Sequence, residues 1–262
     1  MAQTVFSGDI VTMHVLLTND DGIFAPGLAA MYKQLSTIAE VTVAAPSDVK
    51  SAASHSISLE PLVCDKVELT GKFTGYSVNG SPADCVKLAI NKLVDTSTNP
   101  IDLVVAGINH GANVGINVYY SGTVAAAMEA AFYDIPAIAV SAAFEEDLDV
   151  DAASQYALAL INKLLPLQAG NVININIPRL SMGKPKGIKV VPQSTRGFDE
   201  NYVTQRNKDG QTLYQLTGGN HRDKEAAFVD TITLTEGFIT VTALHFDMTD
   251  HAGNDRLGEV KW

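Results

Sequence analysis

Between residues 14 and 177 the chain alternates short, continuously apolar runs with longer segments of helical period. That alternation limits the fold most, because successive parallel strands need a crossover of a dozen or more residues, usually a helix. His14–Thr18 (HVLLT) reads as a buried strand, and so do residues 41–45 (VTVAA, closed by Pro46), 102–106 (DLVVA), 136–141 (PAIAVS) and 171–177 (NVININI). Between them, Pro26 suits the first turn of a helix whose inner face carries Leu28, Met31, Tyr32 and Leu35. Ser81-Pro82 opens another, with Ser81 as N-cap and Val86, Ala89, Ile90 and Leu93 on one face. Residues 122–132 turn Val124, Ala127, Met128 and Ala131 inward, and residues 148–165 turn Ala157, Leu160, Ile161 and Leu164 inward. Residues 57–78, broken by Pro61 and Gly71, read as short strands or a hairpin. The pattern predicts an α/β fold, doubly wound around a mostly parallel sheet.

The last third reads differently. Residues 194–225 are polar with interleaved aromatics; YVTQR and TLYQL flank a turn at Asp209-Gly210 and form the arms of a β-hairpin. Few of these side chains suit a core, so the hairpin is expected to project and pair with another subunit or an adjacent surface. Residues 238–244 (FITVTAL) alternate like a strand, and the tail beyond shows no clear pattern. Asp247 and His251, four positions apart, are candidates for docking the tail. Residues 1–12 read as a leader of no structural consequence, and 13–262 as a single α/β domain with a projecting hairpin and tail from about residue 194.

The net charge is −11. A surface that acidic argues against a duplex nucleic acid or an anionic membrane as partner. It leaves room for a small anionic substrate, because a metal ion inverts the sign of a single pocket. Two cysteines, Cys64 and Cys85, are too few for a disulfide framework and read as small core residues. No stretch reaches the ~18 uninterrupted apolar residues of a membrane span. The first twelve residues lack the basic and apolar regions of a signal peptide, so a cytoplasmic location is expected.

In doubly wound sheets, ligands sit at the carboxyl ends of the strands. Three loops there can carry chemistry. The first, TNDDG, places Asp20 beside Asp21 directly after a buried strand; a hard divalent cation keeps both ionised, although such a run also serves as a plain polar turn. The second, residues 46–58, holds Ser47, Ser51, Ser54, Ser56 and His55. The third runs Gly107-Ile108-Asn109-His110-Gly111-Ala112-Asn113-Val114-Gly115 and continues to Tyr120-Ser121-Gly122-Thr123 at a helix start. Glycines there let the backbone approach an anion, and the helix start offers free N–H groups. The loop lacks the Gly-Lys-Ser/Thr ending of a P-loop and the spacing of a dinucleotide fingerprint. Ligands for a cation, a hydroxyl loop and an anion cradle on one sheet edge point to metal-assisted chemistry on a phosphate ester.

The order TNDDG, AP-x4-S with its serine-rich run, GIN-x-G-x-N-x-G and YSGTVAAAMEA resembles the SurE survival-protein family, as do NGSPADCV (79–86) and TVTALHFDMT (240–249). The resemblance runs from about residue 13 to about residue 250. It implies a Rossmann-like sheet with a swapped C-terminal tail, and a homodimer or homotetramer. It also implies a metal-dependent 5′/3′-nucleotidase that hydrolyses nucleoside monophosphates by metal-activated water, and in some members short polyphosphate. One divalent cation per subunit, Mg²⁺ or Mn²⁺, would rest on Asp20, Asp21, Ser51 and Asn109, with Asp20 and Asp21 as the catalytic pair. Asn19, Gly111, Asn113, Ser121, Gly122 and Thr123 would contact phosphate or substrate. The chain departs from the family pattern at Ala52, where glycine usually follows the ligand serine, and at Ala106, Asn117 and Thr242-Ala243. Ala52 is the departure that bears on a ligand, because a residue with a Cβ resists positive φ.

Other chemistries use similar parts. Asp20 as a nucleophile would form an aspartyl phosphate. A nucleotide sensor would bind without releasing phosphate, but two carboxylates suit a simple anion site poorly. A nucleotide-sugar transferase would carry D-x-D rather than the contiguous pair.

Overall fold

The computed structural model describes residues 13–69, 73–223 and 227–260; the leader and Gly71 lie outside them. The elements are, in order, β1 (His14–Thr18), α1 (Pro26–Leu35), β2 (Glu40–Pro46), β3 (Cys64–Leu69), β4 (Phe73–Val78), α2 (Pro82–Leu88), β5 (Leu103–His110), α3 (Asn117–Tyr120) and α4 (Gly122–Ala131). There follow β6 (Ala137–Ala142), α5 (Val150–Leu164), β7 (Val172–Ile177), β8 (Ile188–Val190), β9 (Tyr202–Arg206), β10 (Thr212–Leu216), α6 (Asp230–Thr235), β11 (Ile239–Leu244) and α7 (His251–Gly258).

Nine strands form one sheet in the order β3-β4-β2-β1-β5-β6-β7-β11-β8. The six from β4 to β7 run parallel; β3 and β11 pair antiparallel at the two ends of that set, and β8 adds parallel to β11. β1 is buried along its whole length, covered on both faces of the sheet, which explains why it reads as an unbroken apolar run. Val15 and Leu17 pack with Leu28, Met31 and Leu35 of α1 and with Ile161 of α5. Leu16 faces the other way, toward Val86 of α2 and Val124 and Ala127 of α4. Removing such a fully buried leucine side chain costs about 2–5 kcal/mol.

Helix starts follow the capping rules. Ser81 accepts from Asp84 N while Asp84 accepts from Ser81 N, a reciprocal box with Pro82 at the first helical position. Past Leu88 that helix widens into a π-type turn, Ala89–Leu93, so Ala89 is buried but Ile90 and Leu93 only half so. Asp149 caps α5, and Glu145 accepts from the N–H groups of Leu180 and Ser181.

Several expectations needed revision. The third loop begins later than its glycines suggest: β5 continues through Gly107 to His110, with a register shift against β6 between Ala106 and Asn109. The short elements α3, β8, α6 and α7 carry no periodic signal that announces them. The predicted hairpin forms as β9 and β10, in register from Tyr202–Leu216 to Arg206–Thr212, with both strands exposed throughout. β11 joins the chain's own sheet, and α7 beyond it buries no residue. Asp247 and His251 pair with each other at 3.3 Å on that exposed tail, rather than with the body. Among the described residues, no helix is long and apolar enough to cross a membrane.

Candidate active site

Neighbouring parallel strands bring distant loops together. Thr18 of β1 stands beside Ala106 of β5, so the loop carrying Asp20 and Asp21 lies against the end of β5. β2 flanks β1 on its other side and delivers the serine loop to the same edge. Lys50 N donates to Asp20 O at 2.8 Å, which ties the two loops directly. Asp20, Asp21, Ser51 and Asn109 all line one cavity of about 260 Å³, together with Gly111, Asn113 and Ser121.

The surroundings orient these groups. The Asp20 carboxyl is buried and accepts from the Thr123 hydroxyl at 2.5 Å. Burial, reinforced by the charge of Asp21, pushes its pKa up to about 6 against the opposing pull of Thr123. Asp21 Oδ2 accepts from His110 N at 3.2 Å. Asn109 donates Nδ2 to Gly111 O at 2.6 Å, which leaves its amide oxygen for a ligand. Two carboxylates, an amide oxygen and a hydroxyl make an all-oxygen donor set, the preference of Mg²⁺ or Mn²⁺ rather than of zinc. Among the described residues no cluster of three or more His, Cys, Asp or Glu gathers, so neutral oxygens must complete any cation site.

The serine loop is held from several sides. Ser54 donates N–H to Tyr120 O and its hydroxyl to Tyr119 O, and Ser58 donates N–H and hydroxyl to Asp84. Ala52 takes φ +56 despite its Cβ, so the loop keeps the left-handed turn that glycine would ease.

At the other side of the cavity, Ser121 caps α4 by accepting from Val124 N, leaving its hydroxyl proton for a ligand. Gly122 lies so close to Asp20 that a Cβ there would stand 3.0 Å from the Asp20 Cβ and from Pro82 Cγ. The positive end of α4 therefore abuts the acidic pair.

Three expected contacts find other partners. Asn19 does not line the cavity; both ends of its amide bond Gly22, closing the turn that carries Asp20 and Asp21. The Thr123 hydroxyl is given to Asp20. Gly111 lines the cavity, but its N–H goes to Ala142 O. The His110 ring pairs with Glu145 O at 2.7 Å and stacks on Phe144. Sequence reasoning passed over Ser141, Asn174, Asn176 and Asp230. Asp230 is fully buried and accepts from Gly115 N and Ser194 N, each at 2.8 Å, pinning the end of the glycine-rich loop. Its signal in the sequence, one aspartate opening a short helix, is indistinct from a surface residue.

Fold and site together define a doubly wound α/β protein with an oxygen-lined cavity and a helix N-terminus at its strand ends. The chain belongs to the SurE family: it matches the family described as Survival protein SurE over residues 15–200. It is 41% identical over 253 residues to a protein named 5′-nucleotidase SurE from Rhodopirellula baltica, covering 95% of this chain and 98% of that one. A protein of the same name from Clostridium botulinum (strain Loch Maree / Type A3) is 39% identical over 243 residues, covering 91% and 95%. The crystal structure of the SurE protein from Aquifex aeolicus superposes with a TM-score of 0.80 at 32% identity, covering 93% of this chain and 98% of that one.

Proposed function

We propose that this protein is a metal-dependent phosphomonoesterase that hydrolyses nucleoside 5′-monophosphates, and 3′-monophosphates as well, to nucleoside and phosphate. The observation that carries the reading is the meeting of Asp20, Asp21, Ser51 and Asn109, from three separate loops, in one cavity beside the start of α4. The names of the relatives from Rhodopirellula baltica and Clostridium botulinum support it.

Asp20, Asp21, Ser51 and Asn109 would hold one divalent cation, Mg²⁺ or Mn²⁺. The fit rests on the two carboxylates crowded at a partly dry site, where Asp20 keeps its proton up to about pH 6 without a neighbouring positive charge. Such an ion offsets the negative phosphoryl oxygens and acidifies a nearby water. The chain's own groups do the positioning. Thr123 fixes the Asp20 carboxylate. Asn109 lines the cavity, and because its amide nitrogen serves Gly111 its amide oxygen is left to act as a ligand. Ser121 donates its free proton to a phosphoryl oxygen, and the α4 dipole favours negative charge at the same place. Asn113 supplies a further amide.

The test is phosphate release from a panel of nucleoside monophosphates and short polyphosphate, with EDTA, Mg²⁺ or Mn²⁺. Asp21→Asn should abolish turnover; normal activity of that variant at saturating Mn²⁺ would overturn the scheme. The exposed hairpin, with Tyr202, Val203, Leu213, Tyr214 and Leu216 open, supports a homodimer or homotetramer joined through hairpin and tail. On this reading residues 13–262 act as one α/β unit in the cytoplasm.

A further inference from the structure

β7 alternates isoleucine and asparagine (VININI), and its two asparagines, Asn174 and Asn176, are fully buried. Ile175 and Ile177 fill the core on one face of the sheet. The asparagines occupy the other face, where aliphatic side chains would stabilise the sheet more cheaply. Across β6, Ser141 pairs in register with Asn176 and is equally buried. Amides placed so deep are costly unless bonded, and all three polar groups bond one residue, with Asn174 Oδ1 alone of their atoms left without a partner among the described residues.

That residue is Asn113. Its N–H donates to Asn176 Oδ1 at 2.8 Å. Its carbonyl accepts from Asn174 Nδ2 at 2.8 Å and from Asn176 Nδ2 at 3.3 Å. Its side-chain Nδ2 donates to Ser141 Oγ at 2.9 Å. Asn113 itself lines the cavity that holds Asp20, Asp21, Ser51 and Asn109. A loop residue is thus held through backbone and side chain by strands β6 and β7.

We propose that Asn176, Asn174 and Ser141 are positioning residues that hold Asn113 for the phosphoryl group of the substrate; this rests on the phosphomonoesterase reading above. Ser141 has a specific part. A hydroxyl both accepts and donates, so a half-turn of the Asn113 amide lets Ser141 donate to Oδ1 and frees Nδ2 for a phosphoryl oxygen. The amide answers an anion without leaving a buried group unpaired. Ser141 lies in register with Asn109 on the neighbouring strand, but the side-chain hydrogen bonds of all three residues run to Asn113. None of the three lines the cavity where the cation ligands meet, so their effect is directed to the phosphate end.

The experiment compares Ser141→Ala, Ser141→Thr and Asn176→Ala with the unaltered chain. The readouts are the KM for a nucleoside monophosphate, competitive inhibition by inorganic phosphate, the Mn²⁺ concentration for half-maximal activity, and the melting temperature. Loss of one such hydrogen bond should raise KM and the phosphate inhibition constant about tenfold in Ser141→Ala. Ser141→Thr should restore both, and the Mn²⁺ requirement should stay unchanged throughout. A purely structural role would lower the melting temperature and leave both constants untouched; that result in Ser141→Ala overturns the proposal. Should Asn176→Ala fail to fold, Ser141→Ala decides alone. Calorimetric titration of inorganic phosphate with Mn²⁺ present separates the two readings. If the unaltered chain binds phosphate, Ser141→Ala binds it more weakly and no monophosphate is hydrolysed, the enzymatic reading fails while the positioning stands. If affinity for phosphate is equal in both, the positioning fails.

Discussion

Thr123 Oγ1 donates to Asp20 Oδ1 at 2.5 Å, joining the start of α4 to the loop after β1 across 103 positions of sequence. The bond opposes the burial that drives protonation of Asp20, so it keeps the carboxylate available to a cation. Thr123→Val should therefore raise the Mn²⁺ needed for half-maximal activity, by about 10–100-fold as for other lost partners of metal ligands. Thr123→Ser, which keeps the hydroxyl, should stay close to the unaltered protein. Mn²⁺ titrations of activity check both.

The pH dependence has a definite sign. Asp20 keeps its proton in the folded chain up to about pH 6, against 3.8 ordinarily. Between those values the folded state binds more protons than the unfolded one. Without metal, stability should thus fall as pH rises from about 4 through 6, by at most about 3 kcal/mol from this group. A cation must displace that proton below pH 6, so the rise in melting temperature on adding Mn²⁺ should be small at pH 5 and larger at pH 8. Melting curves at both values, with EDTA and with Mn²⁺, read the difference.

Much of this was legible in the sequence because strands covered on both faces write continuous apolar runs, as HVLLT and DLVVA do. That the acidic pair, Ser51 and Asn109 meet in one cavity was legible for a related reason: each follows or ends such a run, and parallel neighbours bring those ends together. The full length of β5 is not legible because Gly107 and the polar Asn109 and His110 resemble a loop, while in the fold Asn109 and His110 still pair with β6 past a register shift. The hydrogen bonds of Asn19 to Gly22 and of Thr123 to Asp20 depend on rotamers that residue type and spacing do not reveal. The asparagines of β7 left a readable mark, amides at alternate positions of an apolar strand, that reading for hydrophobic period passes over.

Asp84 does two jobs. It closes the capping box of α2 and accepts from Ser58 N and Ser58 Oγ, at 3.0 and 2.7 Å, which anchors the far end of the serine loop. Despite the burial that opposes ionisation, these bonds hold its carboxyl below the usual range. The stabilisation is present above the ordinary carboxylate pKa and is lost as pH falls through the lowered one. Asp84→Ala should cost about 2–4 kcal/mol, the sum expected for a lost cap and a charged hydrogen bond to the loop. Urea unfolding at pH 7 measures the loss, and the difference from the unaltered chain should shrink in acid.

Ala52 sits at φ +56 directly after Ser51. An alanine in that region carries a penalty of about 1–2 kcal/mol that glycine avoids. Glycine also loses more freedom on folding, so Ala52→Gly should gain about 1 kcal/mol net, or roughly 2–4 °C in melting temperature for a chain of this size. The loop already has the turn, so turnover should change less than twofold. A drop in melting temperature would mean that the Cβ makes contacts worth more than the strain.

The hairpin is the part of the chain that its own core does not explain. In its register Tyr202 faces Leu216, with Tyr214 two residues along the same face, while Val203 and Leu213 lie on the opposite one. All five are exposed, and an isolated two-stranded hairpin is only marginally stable in water. Apolar groups on both faces suit burial against other copies of the chain. Tyr202→Lys combined with Tyr214→Lys should lower the mass seen by light scattering, with Leu213→Lys reporting on the second face. Because none of the three contributes to the core, the melting temperature of the dissociated chain should fall only by what assembly contributed. An unaltered chain that already runs as a monomer, or variants that keep the full oligomer mass, would remove the hairpin from the interface.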